Sequence, residues 1–175
     1  SSQHRHRMAS RGLDYLVVLL NCFFIFSCVA VERVYCLAER NPLEDPVSEA
    51  FMMAETADFS KACNPLFLAR PPWLRFATCV SAFTFAPCYL CIALSFAMGT
   101  AWLRKIRTAA LCFFSVKVYA LVLYHGVVFF GGEAPTPPLP LKYWSAEAPF
   151  LLGLGLALHR LLTLGSDGEV KAKGQ

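Results

Sequence analysis

Four runs of apolar residues, 12–31, 73–98, 108–130 and 144–164, fill most of the 175-residue chain, and few charges interrupt them. Each run is about 20 residues or longer, the length an α-helix rising 1.5 Å per residue needs to cross ~30 Å of hydrocarbon. Within lipid a backbone must satisfy its own hydrogen bonds, so the runs predict helices rather than loops or open strands. The polar sequence left over is too short to cover four such helices in water. The pattern therefore predicts an all-α, polytopic membrane protein. A basic tail (1–11) precedes one four-helix transmembrane domain (12–164), and a polar tail (165–175) follows it.

Between the runs, the first connection is long, and the stretch from Val47 to Phe59 has the spacing of a short amphipathic helix, with Asp45 as N-cap and Pro46 as first residue. Val47, Phe51, Ala54 and Met52 would form its apolar face. The third connection, 131–140, is proline-rich and predicts no regular element. Pro87 inside the second run predicts a kink and a freed carbonyl. Small residues around Gly153 and Gly155 suit close contact between helices, a homodimer being one form of it.

Charge adds orientation. Only 16% of residues are charged, against about 25% in a soluble domain. Arg5, Arg7 and Arg11, then Arg104, Lys105 and Arg107, then Lys171 and Lys173 all fall on one side of a four-span topology. Glu39, Glu44, Asp45, Glu49, Glu55 and Asp58 fall on the other. By the positive-inside rule both termini face the cytosol, or the matrix of an organelle. The first ten residues are basic, serine-containing and free of acids, which fits a clipped organelle presequence and equally a positive-inside tail. A net charge of +4 gives no indication of nucleic acid as a partner.

The eight cysteines match no metal-site spacing, and His125 and His159 stand alone, so no metal centre is expected. Cys22, Cys28, Cys79, Cys88, Cys91 and Cys112 read as small packing residues. Cys36 and Cys63 both lie in the first connection, on the non-cytosolic side, and are the candidates for a disulfide in an oxidising compartment.

No phosphate loop, zinc-protease motif or nucleophile elbow is present. Chemistry would have to come from polar groups at membrane depth, which are functional candidates by default. These are Asn21, Ser81, Lys117, Tyr119, Tyr124, His125 and Glu147, with Glu32 closing the first run. Lys117 lies nine residues from Thr108, about 13 Å along its helix, and no carboxylate is predicted at that depth. A partner subunit or a lipid headgroup would then face it, or it stays neutral beside Asn21 and Ser81. For Glu147 two readings stand: a first-turn acid favoured by the helix dipole at the interface, or a relocated cavity acid of the bundle interior, facing Glu32 and Asn64 on the same side.

Several motifs in order carry a resemblance. They are Asn64-Pro65-Leu66-Phe67, then Arg70-Pro71-Pro72-Trp73-Leu74-Arg75-Phe76, Pro87 within the second run, Trp102-Leu103-Arg104-Lys105-Ile106-Arg107-Thr108, and Ala148-Pro149-Phe150-Leu151-Leu152. Together with four spans and an acidic first connection, they resemble the EXPERA family, which includes the sigma-2 receptor and the emopamil-binding sterol isomerases. The resemblance implies a cavity open to the bilayer that holds a sterol or amphiphilic amine, armed with carboxylates for double-bond isomerisation. Two of the family's acid positions fall on Asn64 and Ser81, while a third is retained as Glu32. Loss of two acids implies a chain that is not an enzyme and binds no cofactor beyond a phospholipid or sterol. The cavity candidates are Glu32, Asn64, Trp73, Ser81, Lys117, Tyr119 and Glu147. Expected partners are membrane lipids and other subunits of a large membrane complex, with the mitochondrial inner membrane favoured. A free-standing sterol or lipid binder of the endoplasmic reticulum is the alternative, and a sterol isomerase with relocated acids comes third.

Overall fold

The computed structural model describes residues 2–44 and 51–172, with side chains over 11–44 and 51–164. The expected helix start at Asp45 and Pro46 lies outside the described residues. Eight α-helices follow in order: α1 (Ser2–Ser27), α2 (Arg33–Leu37), α3 (Met53–Cys63), α4 (Pro65–Ala69), α5 (Pro72–Val80), α6 (Ala86–Met98), α7 (Thr100–Phe130) and α8 (Pro140–Ala172). A five-residue π-helical segment, Cys28–Glu32, joins α1 to α2, and a second, Ser81–Phe85, joins α5 to α6. The fold is thus all-α with four helical spans: Arg11–Leu37, Pro72–Met98, Thr100–Phe130 and Pro140–Leu164.

The spans close a ring in which α1 packs on α6 and α8, and α7 packs on the same two helices. Toward the termini the interior is apolar, with Val17, Phe24, Phe96, Leu103, Phe114 and Leu161 at its centre. Phe24 stacks on Phe150 with centroids 5.0 Å apart, and a Cβ on Gly153 would sit 2.5 Å from Phe24 Cζ. Gly153 therefore serves the contact between α1 and α8 within one chain, while Gly155 has open space beside it. Near this end Arg160 Nε donates to Asp14 Oδ1 at 2.7 Å and Nη2 to Oδ2 at 3.3 Å, a buried bidentate pair. Arg107 Nε donates to the Leu161 carbonyl at 2.8 Å.

A second apolar cluster closes the opposite end, where the first connection folds beneath the helices. Tyr35, Leu43, Met53, Cys63, Leu66 and Tyr143 are its fully buried members. The amphipathic helix begins at Met53, later than its sequence suggests, and buries Met53, Ala57, Ser60 and Cys63. Ala54 and Phe51 are exposed, and Phe51 meets Phe26 edge-on at 6.0 Å.

The local chemistry fixes how this cap meets the second span. Asn64 accepts from the Phe67 N–H at 3.2 Å as N-cap of α4, and Pro65 needs no donor at the first position. Arg70 ends α4 in the left-handed region (φ 49°), ahead of two prolines. Its Nη2 donates to the carbonyls of Tyr35 and Ala38, both at 2.6 Å, while Arg75 Nε donates to Cys36 at 3.0 Å. Two arginines thus take up carbonyls left over at the end of the first span, where positive charge also suits the helix dipole.

A disulfide joins Cys36 to Cys79. The pairing expected from sequence, Cys36 with Cys63, does not form: Cys63 is a free, buried thiol of the cap. The physical reason is the helix end. The first span runs on to Leu37, so Cys36 belongs to a helix that packs along α5 rather than to the connection.

Candidate polar layer within the bundle

Between the two apolar clusters lies a layer of polar side chains, and the two π-helical segments build its floor. They pack against each other, one ending in Glu32 and the other beginning with Ser81. A π turn takes one more residue per hydrogen bond than an α turn and is frequent at functional sites. Pro87 accounts for the second segment: without an N–H it releases a carbonyl one turn back, within Ser81–Phe85. We have no physical account of the first segment.

Glu32 sits beside Ser81 and Cys28, and its Oε2 is buried without a hydrogen-bond partner among the described residues. The Cys28 thiol and Ser81 hydroxyl are 3.5 Å apart. Lys117 points into this layer from α7. Its Nζ lies 4.8 Å from the centroid of Phe85 and 5.7 Å from that of Tyr89, and Glu32 and Glu147 are the acids within electrostatic reach. Among the described residues the lysine forms no direct ion pair; the pair found is Asp14–Arg160.

The expectation that no acid of this chain reaches the depth of Lys117 is therefore corrected. Two helix boundaries explain it. The first span continues six residues past Val31, which puts Glu32 inside the bundle. The fourth begins at Pro140 instead of Trp144, which sets Glu147 seven residues into its helix. Of the two readings of Glu147, the interior one describes its position.

Asn64 joins the layer from the cap, its Nδ2 donating to the Tyr124 hydroxyl at 2.7 Å. Tyr143 lies next to Tyr124, and its hydroxyl is 2.8 Å from His125 Nδ1. Both functional groups of Asn64 are thus engaged, one as helix cap and one as tie to α7.

Two candidates stand apart. Trp73 lies at the rim, where its Nε1 donates to Glu133 at 2.6 Å and ties the third connection to the second span. Tyr119 is 68% exposed and faces away from the bundle; it lines no part of the layer. Two residues from Lys117, it is turned about 200° from it on a helix of 3.6 residues per turn. Asn21, fully buried lower in the bundle, donates to the Val17 carbonyl at 2.8 Å and leaves its Oδ1 unpartnered.

An apolar groove of about 630 Å³ runs between α7 and α8, lined by Val118, Leu121, Val122, His125, Trp144 and Leu151 among others. None of the polar-layer acids lines it. Asp14 and Arg160 were not among the sequence candidates. Their signal was positional: each lies a few residues from the end of its run on the same side of the membrane.

The fold and this layer define a class, a four-span α-helical membrane protein with half-buried acids and a half-buried lysine gathered among its described helices. No known protein family, curated protein or solved structure matches the chain.

Proposed function

We propose that the chain is a non-catalytic, EXPERA-like integral membrane protein that acts as an accessory subunit of a larger membrane complex and holds a lipid or sterol. The observation that carries the non-catalytic reading is the state of the acid positions. Asn64 is consumed as a cap and a tie, Ser81 belongs to a π-helical segment, and Glu32 and Glu147 share the layer with the Lys117 amine, which lies within their electrostatic reach. A sterol isomerase needs acids free to donate and remove protons around a carbocation. Here a basic group of the protein itself shares the layer with the acids. The apolar groove between α7 and α8 supports lipid binding, since its lining is apolar and open to the outside of the bundle.

The Cys36–Cys79 disulfide supports a topology with the first connection in an oxidising compartment and both termini on the cytosolic or matrix side. That suits the mitochondrial inner membrane, our preferred site, and also the endoplasmic reticulum. Native size decides the accessory role. Blue-native electrophoresis of the cell's own membranes in mild detergent should find this chain only within a large assembly. Migration as a monomer or dimer would remove that reading and leave the free-standing lipid binder.

A further inference from the structure

We infer that the outward face of α7 centred on Tyr119 is the contact with a partner subunit, and that it receives a transmembrane helix of a different protein bearing a polar acceptor at mid-membrane depth. This rests on the accessory-subunit reading and names its surface.

Tyr119 lies eleven residues from Thr108 and eleven from Phe130, the two ends of the apolar run. At 1.5 Å per residue it is about 16 Å from either end of that run, and it lies four residues from Ser115, the centre of the helix Thr100–Phe130. Tyrosines facing lipid belong at the interface, where the hydroxyl finds water or headgroups. This one is 68% exposed at mid-depth, its hydroxyl has no partner among the described residues, and its side chain is too short to snorkel out.

A lipid cannot satisfy it, because the bilayer at that depth presents only hydrocarbon, in which an unpaired hydroxyl is costly. A protein helix can. The face around Tyr119 is shaped for one. Cys112, Ser115, Val116, Val122 and Leu123 recur at helical spacing on that side, all exposed. Cys112 and Ser115 are small enough for close approach, and Ser115 Oγ is already bonded to the Leu111 carbonyl at 2.9 Å.

A second copy of this chain fits poorly. Around a two-fold axis each helix meets itself, so the Tyr119 rings would face each other while small residues faced small residues. A different helix can place a small polar residue opposite Tyr119 and a larger side chain opposite Cys112 and Ser115.

The test places a photoreactive benzoyl-phenylalanine at position 119 of the full chain in its native membranes. A control probe replaces Phe83, 55% exposed and eleven residues into the second span. Position 119 should crosslink to one transmembrane segment of another protein with a hydroxyl, amide or carboxyl side chain at mid-depth, and position 83 should not. Tyr119→Phe should raise the dissociated fraction of the assembly about three- to tenfold, the worth of one hydrogen bond in a membrane. Crosslinks to lipid alone or to a second copy, or an assembly unchanged by Tyr119→Phe, overturn the inference. A large native assembly with lipid-only crosslinks sinks this surface alone; a small native species sinks the accessory reading as well.

Discussion

Breaking the Asp14–Arg160 pair should destabilise the bundle strongly, and removing both partners should restore much of the loss. Both side chains are nearly buried, at 11% and 8% exposure, and the guanidinium meets both carboxylate oxygens. Removing one partner from such a pair typically costs about 3–5 kcal/mol, because the other charge stays buried and unpaired. Arg160 lies only four residues from Leu164, the end of its span, so part of that cost is relieved if the side chain reaches the headgroups. We therefore expect about 2–3 kcal/mol for Asp14→Asn and for Arg160→Met. The double variant should lose well under the sum, since an apolar pair is often as stable as a buried ionic one. The assay is thermal unfolding in mild detergent followed by a thiol-reactive fluorophore, because Cys28 and Cys63 are buried and become reactive on unfolding. At about 2–4 °C per kcal/mol for a chain of this size, each single variant should lower the midpoint by roughly 4–12 °C. Strictly additive losses would refute the coupling on which this reasoning rests.

Three further outcomes follow from the geometry. Non-reducing peptide mapping should recover Cys36 linked to Cys79 and Cys63 alkylated as a free thiol, and Cys79→Ser should cost about 2–4 kcal/mol while Cys63→Ser spares the bridge. Gly153→Leu should lower stability by about 1–3 kcal/mol through collision with Phe24, whereas Gly155→Leu, with open space beside it, should change the unfolding midpoint little. Lys117→Met leaves Glu32 and Glu147 without their internal cation, so binding of a fluorescent amphiphilic amine should rise at least tenfold over wild type; equal binding by the two proteins would show that the lysine does not set the charge of the layer.

The four spans are legible because length and apolarity are enough to specify a helix in lipid. Their ends are not, because hydropathy stops at the first charged residues whether or not the helix does. The first run ends before Glu32-Arg33, yet the helix continues with Arg33 exposed and Glu32 turned inward. The third begins eight residues earlier than its apolar run, carrying Arg104 and Lys105 as exposed residues of the helix. The fourth starts through Leu141-Lys142-Tyr143, a stretch that reads as connection. Errors of four to eight residues shift a side chain by about 6–12 Å in depth. That is enough to separate Lys117 from its two acids on paper, and to take Cys36 out of its helix. The facing of Tyr119 depends on which neighbours α7 packs against, which no local pattern records.

Of two cavity candidates on α7, Lys117 points into the layer and Tyr119 points away from it. An unpaired lysine at mid-depth looks like the group offered to another subunit, and a tyrosine there looks like part of a cavity. In the folded chain the lysine turns to Phe85, Tyr89, Glu32 and Glu147, and the tyrosine turns out. Under the proposed function, a lysine held among these acids competes with any cationic guest for them. The ligand expected under the proposed function is neutral and hydrocarbon-rich. The polar contact we propose for a partner is the Tyr119 hydroxyl, whose directional hydrogen bond would select one helix and one register where a buried charge would demand its full neutralisation.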